Sequence, residues 1–570
     1  NQPVIKNGTV AVHNGIITNV DKLWQNNPLL KREYEVDTEV MLAMVKDKMQ
    51  NNFSVTGAMQ SAFSEMQGTC TTCIIMNDRS TITLATNNAS LYYAYNEAKE
   101  IFLFASENFI LNEAINKLNL REKLSISEST WSTPFSGISI DAENFSIKHY
   151  SLREHSNGSA ESISTVRDEI INHSPDKPVD FGEVNRHFAL LSESPLRNKL
   201  EFNHDEISKL KRCSRCLLPE TFPFIEYDDK GVCNYCRKYV LKKQGDREED
   251  FKKLMEQYKG KDGKPDCIIP FSGGRDSSYG LHYIVHELKM HPVTYTYDWG
   301  MVTDLARRNI ARVCGKLGVE NILISADIKM KRRNIKLNVE AWLKQPRLGM
   351  IPLFMAGDKQ FFHFVNEVKQ QTGIKLDIWS TNQLENTDFK VGFCGISPSF
   401  DKSRPDYLPL SSKISLLLYY AKNFLSNPTY LNASLGDTLA SFRAYYAAPR
   451  TNFYQLFDWI KWDEKKIEQT LINEYDWELS PDTTTSWRIG DGTAAFYNYI
   501  YYTVAGFSEF DTFRSNQIRE GLISREEGMK YIIQENRPRF QSMKWYLDII
   551  GVDFERAVKI INDIPKLYRK

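Results

Sequence analysis

Residues 267–278, Cys-Ile-Ile-Pro-Phe-Ser-Gly-Gly-Arg-Asp-Ser-Ser, constrain this chain more than any other stretch. A short apolar run, predicted as a buried parallel strand over 267–271, meets two glycines, and a helical pattern follows over 279–288. The turn between them leaves backbone N–H groups and a helix N-terminus facing outward, an arrangement that binds phosphate. Gly273 and Gly274 let the backbone approach an anion, Ser272, Ser277 and Ser278 add hydroxyl donors, and the helix end adds partial positive charge. No Gly-Lys-Ser/Thr follows, so the common NTPase loop is absent. Two glycines alone would also support a purely structural turn.

Residues 272–278 resemble the SGGxDSS signature of the PP-loop ATP pyrophosphatases. The resemblance implies that Ser272, Gly273, Gly274, Arg275, Asp276, Ser277 and Ser278 hold the pyrophosphate of ATP while AMP passes to an acceptor oxygen. Around this loop, residues 246–404 alternate helix (251–258, 279–288, 303–317) with strand (267–271, 293–298, 322–325, 376–380). That is the pattern of a doubly wound α/β domain, whose ligands collect at the carboxyl ends of the strands. Asp298, at the end of the second strand, joins the ATP-binding candidates. Asp276 and Glu385 are the candidates for holding Mg²⁺ through oxygen or water, and Asp276 is equally suited to capping its helix.

Cys213-x-x-Cys216 and Cys233-x-x-Cys236, separated by 16 residues, predict a closed zinc ribbon over 206–245. Thiolates also suit redox or iron–sulfur chemistry, the competing reading. Four protein ligands leave no open position, which assigns the metal to architecture.

Residues 1–125 read as an α+β layer domain, with strands over 9–13, 16–19, 73–76, 82–85, 90–95 and 100–105 and helices over 37–50 and 55–64. Gln2-Pro3, Val-His-Asn-Gly-Ile-Ile-Thr-Asn at 12–19, Val-Asp-Thr-Glu at 36–39 and Phe-Ala-Ser-Glu at 104–107 resemble the class II glutamine amidotransferase domain of asparagine synthetases. By that resemblance Asn14 and Gly15 supply oxyanion-hole donors and Asp37 holds the α-amino group of glutamine. An amide and a Gly N–H are the donor types a tetrahedral oxyanion needs. Read alone, Asn14-Gly15 is a type I′ hairpin turn. The family's nucleophile is an N-terminal cysteine ahead of the Gln-Pro segment. The sequence begins at Asn1, so the expectation is that the front of this domain precedes Asn1 or that the domain does not hydrolyse glutamine. Cys70 and Cys73 fall in an interior segment and do not replace that cysteine.

Serine-rich 126–205 is expected to be an extended connector, and 405–570 a helical region whose Tyr497, Tyr499, Tyr501 and Tyr502 form core. Arg514 and Arg519 suit phosphate, carboxylate or surface pairing, and Lys329, Lys331, Arg332 and Arg333 suit a solvated helix face or a phosphate contact. Residues 377–395, with 348–352, 487–493, 515–521 and the cysteine pairs, resemble the N-acetyl sugar amidotransferase family of bacterial surface-polysaccharide synthesis, over about 206–545.

Together the resemblances imply a multidomain α/β enzyme using ATP, Mg²⁺ and Zn²⁺. It adenylates the N-acetyl oxygen of a nucleotide-activated sugar and displaces AMP with ammonia from glutamine, giving an acetamidino sugar. Rival readings are amidation of a carboxylate, as in asparagine synthetase, transfer-RNA base modification, and a non-catalytic scaffold. With 72 basic and 72 acidic residues, no global field draws the chain to nucleic acid or anionic membrane. No apolar run approaches the roughly 18 residues of a membrane helix. Metal-type cysteine spacing makes a reducing cytoplasm the expected compartment. Assembly into a homo-oligomer stays open.

Overall fold

The computed structural model describes all residues except 1, 99, 155–169, 171–193, 243, 244, 246, 261, 262, 356, 388, 399, 401–408 and 570. Nine strands come first: β1 (Val4–Lys6), β2 (Thr9–Ile17), β3 (Gly68–Met76), β4 (Thr81–Thr86), β5 (Tyr92–Tyr95), β6 (Phe102–Ala105), β7 (Thr130–Trp131), β8 (Ser136–Asp141) and β9 (Ile147–Ser151). They form an antiparallel six-stranded sheet, β1-β2-β3-β4-β8-β9, and a three-stranded one, β6-β5-β7.

Successive side chains of a strand point to opposite faces, and β3 uses both. Cys70 and Ile74 meet the helices Thr38–Gln50 and Val55–Glu65 through Met41, Met44, Ala58 and Met59. Cys73, with Leu84, Ile138 and Ile140, meets Leu91 and Tyr93 at the small sheet. Leu111 and Ile115 of the Asn108–Lys117 helix cover the small sheet's outer face at Tyr92 and Ala94. The result is a helix–sheet–sheet–helix sandwich.

Two expectations are corrected here. The strands expected at 9–13 and 16–19 are one strand, in which Asn14 pairs with Thr71 and Gly15 with Cys70, so Asn14-Gly15 is no hairpin. The connector expected from 126 begins with β7, β8 and β9, which complete both sheets. Gly137–Ile140 of β8 are all buried, and Ile138 and Ile140 alternate with Gly137, Ser139 and Asp141, but over only six residues, too short a run to stand out in a serine-rich stretch. Of the rest of that connector, 155–169 and 171–193 lie outside the described residues, and Pro195–Lys199 forms a short helical turn.

Five parallel strands follow: β10 (Cys267–Pro270), β11 (Pro292–Asp298), β12 (Asn321–Ser325), β13 (Leu376–Trp379) and β14 (Phe453–Gln455), in the order β12-β11-β10-β13-β14. The last comes from the stretch read as helical, and its three residues are too few to show a pattern. Ile268, Tyr295 and Ile322 face a core shared with the four ribbon-type cysteines and the helix Gly492–Ala505. Every residue of that helix is buried, Tyr497, Tyr499, Tyr501 and Tyr502 included. Ile269, Leu376 and Ile378 face the opposite core, with Leu281, Trp462 and Trp487. Among the described residues no helix is long and apolar enough to cross a membrane.

The helix Asp304–Leu317 lies between the front sandwich and the parallel sheet. A Cβ on its Gly315 would sit 1.9 Å from the Gly68 carbonyl oxygen of β3, while near its start Ala306 and Ile310 press on Gly273. Just beyond it, buried Glu320 accepts a 2.6 Å hydrogen bond from Tyr92. Burial pushes the Glu320 carboxyl up to about 8, against the pull of the Tyr92 bond. A carboxyl ionises near 4.3 in the unfolded chain, so between those values the folded state holds the extra proton and stability falls as pH rises. Glu320→Gln is expected to flatten that slope, leaving the variant the more stable protein at pH 8.5. Denaturant midpoints of both proteins at pH 6 and 8.5 check this.

Candidate active site

The strand order reverses between β10 and β13, and in an open parallel sheet ligands bind in the crevice at such a point. The turn after β10 carries Ser272, Gly273 and Gly274 into the helix Arg275–His286. Gly273 has φ +71°, and a Cβ there would lie 2.4 Å from the Ala306 carbonyl, so only glycine fits. Gly274 is the N-cap, and no side chain caps the first turn, which leaves those amides for an anion. Ser272 and Ser277 hydroxyls lie 3.1 Å apart. Buried Ser278 Oγ, Ser380 Oγ and Arg275 Nη2 have no hydrogen-bond partner among the described residues. An uncapped helix start with the Ser272 and Ser277 hydroxyls beside it fits a polyphosphate.

The loop is braced from beyond 405, which sequence reasoning missed. Trp462 donates to Asp276 Oδ1 at 2.9 Å and Trp477 to the Gly273 carbonyl at 3.2 Å. Arg275 Nη1 pairs with Glu464 at 2.5 Å and donates to Ser486 at 3.0 Å. Glu464 also takes Arg514 at 2.5 Å, and Arg514 pairs in addition with Glu535. Arg514 is thus a buried carboxylate partner; no local sequence signal ties it to a loop so far away in the chain.

Asp276 meets Glu385, on the turn after β13. Burial, with the Asp276 carboxylate beside it, pushes the Glu385 carboxyl up to about 8, although Arg488 lies 3.9 Å from it. Two adjoining carboxyl groups are a donor set suited to a hard divalent cation, so Mg²⁺ fits. Beyond Arg488, Glu509 accepts from Lys390 at 2.5 Å and from Tyr497 at 2.8 Å. Burial lowers the Lys390 pKa against the attraction of Glu509. Asp298 sits at the end of β11 with both oxygens engaged locally, by the Gly300 amide at 2.8 Å and Arg307 at 2.5 Å. Lys331, from the basic run, is buried against Asp437 rather than solvated.

The four cysteines are buried together, with Cys213 and Cys236 sulfurs 3.9 Å apart and those of Cys216 and Cys233 3.8 Å apart. A tetrahedral Zn²⁺ with bonds near 2.3 Å sets its sulfurs roughly 3.8 Å apart, so the cage fits zinc. Arg519 lies 3.3 Å from both Cys216 and Cys236 sulfurs, and the Cys233 amide 3.2 Å from Cys213 Sγ. These donors offset the excess negative charge of four thiolates. Arg519 therefore serves the cysteine cage rather than a phosphate or a surface pair.

In the front sandwich Asn14 and Gly15 lie on β2 next to the Asp37 site: Asp37 Oδ2 accepts from the Ile17 amide at 2.9 Å, and Oδ1 lies 3.6 Å from His13 Nδ1. Burial opposes a charge on His13, but the Cys70 sulfur and Asp37 outweigh it and raise its pKa to about 10. Asp37, which burial would raise, is instead held low by His13. Gly15 has φ +140°, and a Cβ there would meet the Thr69 carbonyl at 2.2 Å.

Residues 1–113 match the family of glutamine amidotransferase domains. The front of the chain is therefore a glutamine amidotransferase domain, an enzyme class whose nitrogen donor is glutamine or ammonia. The chain is 28% identical over 121 residues to the uncharacterized protein MJ1599 of Methanocaldococcus jannaschii, covering 20% of this chain and 43% of that relative's length. Among solved structures, the glutamine phosphoribosylpyrophosphate amidotransferase of B. subtilis is similar at 12% identity and TM-score 0.21, over 56% of this chain and 72% of that one. The NH3-dependent NAD synthetase of Campylobacter jejuni is similar at 13% identity and TM-score 0.17, over 35% and 93%. Both scores are too low to carry an argument.

Proposed function

We propose that this protein is an ATP-dependent, AMP-forming amidotransferase acting on the N-acetyl group of a nucleotide-activated sugar. The observation that carries the reading is the Asp276–Glu385 carboxylate pair beside an uncapped phosphate-binding turn, on a chain that also holds a glutamine amidotransferase domain. The acetamido oxygen attacks the α-phosphorus of ATP and the bond to pyrophosphate breaks; ammonia then adds to the carbon that bears the adenylated oxygen, gives up a proton, and the carbon–oxygen bond breaks to release AMP. The Arg275–His286 helix start and the serine hydroxyls hold the departing phosphates. Asp276 and Glu385 would hold Mg²⁺, which supplies neutralising charge to pyrophosphate. Asn14, Gly15 and Asp37 are assigned to glutamine, and Asp298 to the edge of the ATP site. The stretches 377–395, 487–493 and 515–521 converge here, with Arg488 near Glu385 and Asn516 donating to the Leu384 carbonyl at 2.8 Å, which supports the sugar-amidotransferase reading.

The test is release of pyrophosphate and AMP with ATP, Mg²⁺ and ammonium across a panel of UDP-N-acetyl sugars. Release with one sugar is expected. Silence with all of them, but turnover with a carboxylic acid or transfer RNA, would move the assignment to that acceptor.

Docking of the two halves carries its own prediction. Gly315→Ala places a methyl against the Gly68 carbonyl, an overpacking that costs about 1–3 kcal/mol. The variant is expected to exchange β3 amides faster while keeping ammonium-supported pyrophosphate release, as read by hydrogen exchange and by the assay above.

A further inference from the structure

We propose that His282, His286 and Glu474 form a binding site for a divalent transition-metal ion, apart from the four-cysteine cage, that staples the phosphate-loop helix to the helix Glu464–Tyr475. His282 and His286 are one turn apart on the Arg275–His286 helix and so project from one face. Their rings lie 4.7 Å apart between centroids. Glu474 reaches them from the neighbouring helix, with Oε2 3.5 Å from His282 Nδ1. One ligand atom from each of the three residues lies within 4.8 Å of the others.

A tetrahedral ion with bonds near 2.0–2.1 Å needs its ligand atoms roughly 3.4 Å apart. The His282–Glu474 pair already meets that spacing, and His286 and Glu474 are exposed and free to close the rest by side-chain rotation. The Tyr475 hydroxyl, 2.8 Å from the same His282 Nδ1, holds that nitrogen in the metal-free protein and has to turn aside when the ion binds. Two imidazoles and one carboxylate suit zinc, nickel, cobalt or copper and leave a position for water. Mg²⁺ prefers all-oxygen surroundings, so the set separates this site from the Asp276–Glu385 pair.

The position gives the ion a consequence. The same two helices are joined at their starts by Arg275 and Glu464, 2.5 Å apart. A metal at 282, 286 and 474 fixes their far ends, so the helix that presents the phosphate turn is held at both ends. The site does not depend on which acceptor the enzyme uses.

The test uses the full chain with zinc retained in the cysteine cage, dialysed against a mild chelator and titrated with Zn²⁺ in saturating Mg²⁺. One further equivalent is expected, weakened at least ten-fold in His286→Ala and in Glu474→Gln. Cu²⁺ loaded at one further equivalent should show coupling to two nitrogens in its electron paramagnetic resonance spectrum, reduced to one in His286→Ala. No uptake beyond the cage, or equal uptake by the parent and both variants, would overturn the site.

Discussion

Asp276→Asn is expected to lower ATP-dependent pyrophosphate release by about 100-fold or more, the usual cost of removing a group that stabilises transition-state charge. Asparagine keeps an oxygen for the 2.9 Å bond from Trp462, so the loop's brace survives and the loss is chemical rather than architectural. Metal content at the four cysteines should be unchanged, and the melting temperature should fall only slightly, since Arg275, whose Nε lies 3.3 Å from Asp276, keeps Glu464. Raising Mg²⁺ should recover part of the activity, because Glu385 remains as one of the two carboxylates. Activity unchanged at any Mg²⁺ concentration would remove Asp276 from the reaction.

Cys216→Ser is expected to have the largest effect on stability. Cys216 lies in the same core as Phe222, Tyr235, Phe389 and Tyr501, so the cage is part of the interior and not an appendage. Its loss removes a sulfur that Arg519 contacts at 3.3 Å, leaving a buried guanidinium short of a partner. Several kcal/mol of lost metal binding and pairing should lower the melting temperature by on the order of 10 °C. Zinc content by atomic absorption, read with the melting curve, checks the outcome. A fully zinc-loaded variant with unchanged melting would mean the fourth sulfur is dispensable.

Local chemistry was the legible part of the sequence. The glycine pair between a strand and a helix, and the four cysteines, announce themselves because one turn or one ion needs those residues at those spacings. Asp276 and Glu385, proposed above to hold Mg²⁺, could be singled out as candidates because each follows a predicted strand whose end must face the crevice. What stayed hidden is long-range. Trp462, Glu464 and Arg514 reach the loop from far along the sequence, and no periodicity encodes that meeting. β7, β8 and β9 escaped because they are two, six and five residues long, β7 and β9 bury no residue fully, and the two alternating isoleucines of β8 sit among serines that read as a linker. Asn14-Gly15 misled in the opposite direction. The dipeptide favours a turn, yet cross-strand pairing with Thr71 and Cys70 overrides that preference.

The helix Asp304–Leu317 works as a party wall. Ala306 and Ile310 press on Gly273, while Gly315 presses on Gly68, nine residues beyond Ala306, which is two and a half turns and so the opposite face. Side chains away from these contacts can drift, but the length of the wall cannot. A single inserted residue between 306 and 315 would swing one tenant about 100° and slide it roughly 1.5 Å against the other. Evolutionary change here should therefore take the form of substitutions, with insertions and deletions pushed out to the loops at either end.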